Sequence, residues 1–78
     1  MKKINNDIDA NYELGKRIQY LRSNRKMSQE DLALECDINK NYLSDLERGC
    51  RNPTVKVLAK IARGLGISLS ELFKGVGS

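Results

Sequence analysis

The residues whose types and spacing best suit a specific chemistry lie between positions 40 and 48. Their polar side chains share one face of a predicted helix, and they are Lys40, Asn41, Ser44, Asp45 and Arg48. Leu43 and Leu46 lie on the opposite face. Lysine can donate to guanine O6 and N7, asparagine can pair with adenine N6 and N7, and aspartate can accept from cytosine N4. The stretch therefore has the hydrogen-bonding face of a base-reading helix, although an exposed helix start without a function has the same pattern.

Catalysis and metal binding find little support in the residue types. The 78 residues include no histidine, which removes the commonest general base and the commonest metal ligand. Two cysteines, Cys36 and Cys50, are too few for a disulfide framework or for a zinc site. Glu30 and Asp31 are consistent with ordinary acids of a helix N-terminus. We therefore expect no enzyme, no metal and no cofactor.

The charge balance favours an anionic partner. Fourteen Lys and Arg against ten Asp and Glu give a net charge of +4. The length allows one small domain with a thin core, which a second copy could help to cover. Residues 1–7 turn polar where a signal peptide would be apolar, and no apolar run approaches the roughly 20 residues that span a bilayer. We expect a cytoplasmic protein with reduced thiols and no membrane contact.

Apolar residues recur at helical spacing along the chain. They predict five helices, at about 10–26, 29–36, 40–48, 55–65 and 69–74. The last four of these start after residues that favour the N-cap, namely Ser28, Asn39, Thr54 and Ser68. The two serines open capping-box-like sequences, which Asp31 and Glu71 complete three residues later. The prediction is an all-α domain over 10–74, with flexible segments at 1–9 and 75–78.

The second and third predicted helices are short and closely linked. Only three or four residues join 29–36 to 40–48, which is too few to lay two helices side by side as a long hairpin. Such a link suits the near-perpendicular crossing of a helix-turn-helix. Ala33 is small where the helices must approach, and Ile38 supplies an apolar contact in the turn. In this motif the second helix enters the major groove of DNA.

Four segments of this chain resemble a known family. They are GKRIQYLR at 15–22, MSQEDLA at 27–33, YLSDLERG at 42–49 and LGISLSELF at 65–73. Together they are similar to the Cro and lambda-repressor type of helix-turn-helix, also called the xenobiotic-response-element family, over about 14–73. Within that family, ERGCRNPT at 47–54 is similar to the small controller proteins of restriction–modification systems. The resemblance implies a compact five-helix bundle, the lambda-repressor-like DNA-binding domain.

The resemblance also implies a function. We expect a sequence-specific transcriptional regulator that binds double-stranded DNA as a homodimer on a near-palindromic operator, for instance that of a restriction–modification operon. The alternatives are a phage-type repressor, an antitoxin-like autoregulator, or a protein-interaction module without DNA. The last gains from residues 37–48, whose two basic and three acidic side chains sum to −1. Activation would need contact with RNA polymerase, for which the acidic candidates are Glu30, Asp31, Glu35 and Asp37.

Residue roles come partly from the family and partly from the residue types and their positions, because Lys40, Asn41 and Asp45 match no single family member. Base reading falls to Lys40, Asn41, Ser44 and Asp45, and backbone contact to Gln29, Tyr42, Arg48, Arg51 and Asn52. Alternatively Tyr42 packs on the second helix, and Asp45 pairs with Arg48. Arg22 and Glu47 are expected to bridge helices one and three. The predicted dimer interface comprises Ile67, Leu69, Leu72 and Phe73, any of which could instead belong to the intramolecular core.

Two further positions carry expectations of their own. Asp37 stands where the family often has glycine, because the turn requires a left-handed backbone, and aspartate tolerates that conformation at a cost of about 1–2 kcal/mol. Cys36 lies on the apolar stripe of the second helix and is predicted to be a small core residue. Cys50 is predicted to lie in an exposed loop, where redox sensing is conceivable.

Overall fold

The structure is a computed structural model that describes residues 6–77. Within this range the chain forms five helices and no strand: α1 (Asn6–Asn24), α2 (Gln29–Cys36), α3 (Lys40–Glu47), α4 (Val55–Leu65) and α5 (Leu69–Leu72). The all-α fold with a helix-turn-helix at α2 and α3 is thereby confirmed. Helix α1 starts at Asn6, so residues 6–9 of the predicted flexible segment are helical. The rest of that segment, and Ser78, lie outside the described residues.

All four predicted N-caps are present. Ser28 accepts from the Asp31 amide at 3.0 Å, and the Asp31 carboxylate accepts from the Ser28 amide at 2.9 Å, so this capping box is complete. The side chains of Asn39, Thr54 and Ser68 also accept from backbone amides in the first turns of α3, α4 and α5, respectively. The second predicted capping box is only half formed, because the Glu71 carboxylate binds Arg17 of α1 instead, with 2.9 Å between Nη2 and Oε2.

One apolar core joins the five helices. Its buried members are Leu14, Ile18, Leu21, Leu32, Ala33, Cys36, Leu43, Leu46, Leu58, Ile61, Ala62, Leu65 and Leu72. The assignment of Leu72 to a dimer interface is therefore wrong, since this side chain is 0% exposed within a single chain. Helix α5 is only four residues long, and its apolar stripe is divided between the core and the surface.

Two glycines let the helices around α3 approach closely. A Cβ at Gly15 of α1 would lie 2.6 Å from the Glu47 carbonyl oxygen and closer still to that of Leu46. A Cβ at Gly64 of α4 would collide with the Cys36 sulfur of α2. Because neither glycine has a side chain, α1 lies directly on the C-terminal end of α3, and α4 lies directly on the end of α2.

The turn between α2 and α3 has the backbone that the sequence predicts. Asp37 is left-handed, with φ 56° and ψ 49°, and its amide and that of Ile38 bond to carbonyls of the last turn of α2. Lys26, after α1, is also left-handed at φ 57°, and its residue type gives no sign of this. At the other end, the Gly77 amide donates to Glu13 Oε1 at 2.6 Å, so the segment predicted to be a flexible tail contacts α1.

Candidate nucleic-acid interface

Helix α3 presents its polar face to solvent. Lys40 and Asn41 are exposed in its first turn, and Ser44 and Asp45 are half-buried one turn further along. Asn39 accepts from the amides of Asn41 at 2.7 Å and Tyr42 at 3.3 Å, which fixes the start of the helix. The four predicted base-reading residues therefore share one accessible side of α3.

A cluster of charged side chains surrounds Asp45 at the C-terminal end of this face. Arg48 Nη2 lies 2.5 Å from Asp45 Oδ1, and Arg51 Nε lies 3.4 Å from Asp45 Oδ2. Arg48 Nη1 also donates to Ser44 Oγ at 3.3 Å, and the Arg51 guanidinium stands 5.1 Å from the centre of the Tyr42 ring. The sequence left open whether Asp45 pairs with Arg48, and the structure contains that pair. The second partner, Arg51, was not anticipated.

The contacts in this cluster change the surroundings of Tyr42 and the pKa of Arg48. Tyr42 is half-buried against the core, and one face of its ring contacts Arg51, a contact that the sequence did not predict. The pKa of Arg48 is raised by its hydrogen bond with the Cys50 side chain and by the negative charge of Asp45. Asn52 is exposed in the loop that follows, beside Arg51.

A second ion pair joins α1, α2 and α3 on the inner side. Arg22 Nε and Nη2 donate to Glu47 Oε2 and Oε1 at 2.7 and 2.9 Å, and Nη1 donates to the Met27 carbonyl at 2.8 Å. Glu47 is 5% exposed, which makes it the buried charged residue of the described chain. The hydrogen bond to Glu47 raises the pKa of Arg22 despite the opposing effect of burial. The predicted bridge between helices one and three is present as a bidentate pair.

Gln29 lies in the first turn of α2, as predicted, and also contacts Glu47. Its amide nitrogen donates to Glu47 Oε1 at 3.0 Å, so part of its donor capacity is used inside the protein. Gln29 lines an open cleft between α1 and the ends of α2 and α3, together with Tyr12, Lys16, Gln19, Glu47 and Arg48. Lys16 Nζ lies 5.5 Å from the centre of the Tyr12 ring. Lys16 belongs to the basic run of α1 that the sequence shows, but nothing in the local pattern singles out Tyr12 or Gln19.

The apolar surface near the C-terminus lies beside α4. Ile67 and Leu69 are half-buried and Phe73 is 39% exposed, so three of the four residues predicted for a dimer interface reach the surface. Ile67 and Leu69 line a shallow groove with Ala59, Ala62, Arg63, Gly66 and Ser68. Arg17 holds α5 against α1 through the Glu71 carbonyl at 2.8 Å and the Glu71 carboxylate.

The cysteines differ sharply in environment. Cys36 is 3% exposed, and burial, followed by the charge of Glu35, raises the pKa of its thiol to about 11. Cys50 is exposed. Over residues 10–77, whose side chains the structure describes, no three His, Cys, Asp or Glu side chains are grouped as a metal site. In the same range, every helix is too short or too polar to cross a bilayer.

Comparison with known proteins decides the family. The helix-turn-helix family matches residues 18–72. This chain belongs to the helix-turn-helix family. Its relatives include control protein C.BamHI of Bacillus amyloliquefaciens, 42% identical over 74% of this chain and 73% of the relative. Control protein C.MunI of a Mycoplasma species is 40% identical over 91% of this chain and 95% of the relative.

A solved structure gives the same result for this helix-turn-helix protein. The restriction–modification controller protein C.Esp1396I, a tetramer in complex with its natural 35 base-pair operator, superposes with a TM-score of 0.78 at 34% identity. The match covers 83% of this chain and 86% of C.Esp1396I. The resemblance to controller proteins that the sequence suggests is thus confirmed.

Proposed function

We propose that this helix-turn-helix protein is a sequence-specific transcriptional regulator that binds a near-palindromic operator as a homodimer. The observation that carries the proposal is the accessible polar face of α3, held out from the bundle by the Arg22–Glu47 pair. One such face reads only a few base pairs, and a two-fold dimer doubles the contacts by placing a second α3 one helical turn away. The relatives and the operator complex of C.Esp1396I support this function.

The division of labour follows from position on the helix-turn-helix. Lys40 and Asn41 start the helix that enters the groove, and Ser44 and Asp45 follow on the same face, so these four read bases. The others flank that face at the height of the sugar-phosphate backbone and position the protein. They are Gln29, Tyr42, Arg48, Arg51 and Asn52. Lys16, which lines the cleft beside Gln29, adds to the backbone contacts.

Selection from a random DNA library at stated salt concentrations tests the function directly. We expect an enriched sequence with two-fold symmetry, whose half-sites are one helical turn apart. An enriched sequence without symmetry would contradict the dimer. No enrichment and no affinity for any duplex would contradict DNA binding itself and favour the protein-interaction module, to which the net charge of −1 over 37–48 already lends some support.

The homodimer interface lies on α5 and the residues on either side of it. Phe73 is a large exposed apolar residue directly after α5, and Ile67 and Leu69 line the groove next to α4. A second copy buries this surface in a two-fold contact. Phe73→Glu should convert dimers to monomers in sedimentation at micromolar protein while leaving the far-UV circular dichroism unchanged. A variant that sediments as a dimer and binds operator normally would show that the interface is elsewhere.

The regulated operon and the cellular location follow from the same function. Control of a restriction–modification operon fits the relatives, and it requires the genes of such a system beside the gene of this protein. A phage repressor or an antitoxin-like regulator predicts different neighbouring genes. The protein acts in the cytoplasm, where its operator lies, and it needs neither an enzymatic activity nor a cofactor to do so.

Contact with RNA polymerase is a second proposal, favoured by one exposed side chain. Leu34 is 83% exposed on the outer side of α2, between the exposed acids Glu30 and Glu35, with Asp37 at the end of the helix. Asp31 is less available, because its carboxylate caps α2. Transcription in vitro with Leu34→Ser should lose activation but keep operator affinity. Full activation by this variant would exclude the α2 surface.

A further inference from the structure

The Asp45 carboxylate binds both arginines that are expected to contact phosphate at the end of α3. One oxygen faces Arg48 Nη2 at 2.5 Å and the other faces Arg51 Nε at 3.4 Å. Ser44 holds the second nitrogen of Arg48, and the Tyr42 ring supports Arg51. Asp45, Ser44 and Tyr42 thereby arrange the two guanidinium groups around a single negative charge.

A carboxylate and a phosphate offer arginine the same kind of partner. Both present two oxygens that share a negative charge and accept from the planar guanidinium fork. The side chains are accessible, at 61% exposed for Arg48, 52% for Arg51 and 28% for Asp45. Exposed ion pairs of this kind are weak, so DNA phosphate can replace the carboxylate. Asp45 therefore occupies, in the free protein, the place that phosphate takes in the complex.

The exchange has a consequence for the carboxylate itself. Once both arginines move to phosphates, Asp45 is left as an unpaired anion close to polyanionic DNA, which is unfavourable unless it finds a donor. The major groove offers such donors only at certain bases, namely cytosine N4 and adenine N6. Release of the arginines is thus favourable on a sequence that presents an amino group opposite Asp45 and unfavourable elsewhere.

We propose that Asp45 is a specificity-determining residue that competes with DNA phosphate for Arg48 and Arg51 and releases them only on sequences that offer its carboxylate a donor. This inference rests on the proposed function, since it requires a protein that binds DNA through α3. It goes beyond a base contact, because the principal effect of Asp45 is to weaken binding to incorrect sequences.

Affinity for two duplexes tests the proposal. The probes are the duplex enriched by selection and a scrambled duplex of the same length and composition, measured by fluorescence anisotropy over a series of salt concentrations. Asp45→Asn should lower the ratio of operator to scrambled affinity about tenfold, mainly by tightening the scrambled complex. Glu13→Gln is the charge-matched control, because Glu13 lies on α1 outside the proposed DNA and RNA polymerase surfaces, and a glutamine can still accept from the Gly77 amide. It should leave the ratio unchanged.

A double-mutant cycle separates competition from simple repulsion. In a background of Arg48→Gln and Arg51→Gln, Asp45→Asn should no longer change affinity for the scrambled duplex. If the effect persists there, Asp45 repels phosphates directly and the proposal is wrong. If Asp45→Asn weakens the operator complex alone and alters one base preference, Asp45 is only a base reader and the proposal is also wrong.

Nuclear magnetic resonance checks the pairing of Asp45 with Arg51 in solution without a measurement of affinity. The Arg51 Nε–H resonance of the free protein should shift in Asp45→Asn, because this group faces the carboxylate directly. In the wild-type protein it should shift on addition of the operator duplex and change little with the scrambled one. Equal shifts with both duplexes would contradict conditional release. Absence of any preference between the duplexes in the wild-type protein would instead overturn the proposed function, and the role of Asp45 with it.

Discussion

Two carboxylates on α3, Asp45 and Glu47, lie two residues apart and both bind arginine, yet their surroundings are opposite. About 100° of helical rotation per residue turns Glu47 inward, where its side chain is 3% exposed and pairs with Arg22 of α1. Asp45 faces outward at 28% exposed, and its partners Arg48 and Arg51 are neighbours in the chain. The same chemical pair therefore joins helices in one region and only arranges surface charge in the other.

The difference in burial determines what each pair can do. A buried carboxylate that loses its partners cannot recover solvation, so the Arg22–Glu47 pair is costly to break and holds α3 in place. An exposed pair exchanges readily with water or an anion, because both charges remain solvated when separated. A helix that must be rigid at its base and adaptable at its surface needs both kinds of pair.

The largest expected effect is the difference in free energy of unfolding between a variant that lacks the Glu47 carboxylate and one that lacks the Asp45 carboxylate. Glu47→Ala should lower the free energy of unfolding by about 3–5 kcal/mol, because it leaves Arg22 partly buried without its counter-charge and Gln29 without its acceptor. Asp45→Ala, the matched change on the exposed side, should cost less than about 1 kcal/mol. Urea denaturation measures both values. Equal losses would mean that burial does not distinguish the pairs.

The same contrast between a buried and an exposed group applies to the two cysteines, where it predicts a pH dependence of stability. The thiol of Cys36 has a pKa of about 11 in the folded protein and 9.0 as its reference value, so the folded state retains a proton that the unfolded state loses. Its contribution is therefore fully present below pH 9 and is lost as the pH rises from about 9 to about 11, by roughly 2–3 kcal/mol. Urea denaturation across this range should be less pH-dependent in Cys36→Ala than in the wild-type protein. Cys50→Ser, the exposed control, should behave like the wild type.

A substitution on the exposed face of α3 should change DNA binding without changing the stability of the protein. Asn41→Ala should weaken operator binding by about 1–3 kcal/mol per half-site and relax the preference at one base position, with unchanged stability, because Asn41 is accessible at the start of α3. Binding to operator variants at each base position, together with urea denaturation, checks this. A general loss of stability would show that Asn41 has a structural role.

The smallest expected effect is the loss of one phosphate contact in each half-site. Arg51→Ala should weaken binding to the operator and change binding to the scrambled duplex little, because Asp45 releases Arg51 to phosphate on the operator and retains it on other sequences. The salt dependence of the affinity should fall by about one unit for each phosphate that the variant no longer binds, hence by about two for a dimer. Affinity measured against salt concentration gives this slope. A slope that stays the same while a base preference changes would mean that Arg51 reads bases and that the division between reading and positioning is wrong.

Several features of the fold follow from local sequence. The N-caps at Ser28, Asn39, Thr54 and Ser68 were predictable, because a cap depends on a side chain and an amide two or three residues away. The left-handed Asp37 and the burial of Cys36 were predictable for similar reasons, from the short turn and from helical periodicity. The family segments extended this to the Arg22–Glu47 bridge, which helical spacing alone would not reveal.

The partners of individual polar groups were decided only by the tertiary structure. Glu71 has the position of a capping-box acid but binds Arg17, which is 54 residues away in the chain. Gln29 donates to Glu47 because α2 and α3 cross there, and Leu72 is buried because α5 folds back onto the core. Local sequence determines which groups a short segment can satisfy by itself. Where several partners are chemically equivalent, the choice depends on which helices pack together, and no local pattern contains that information.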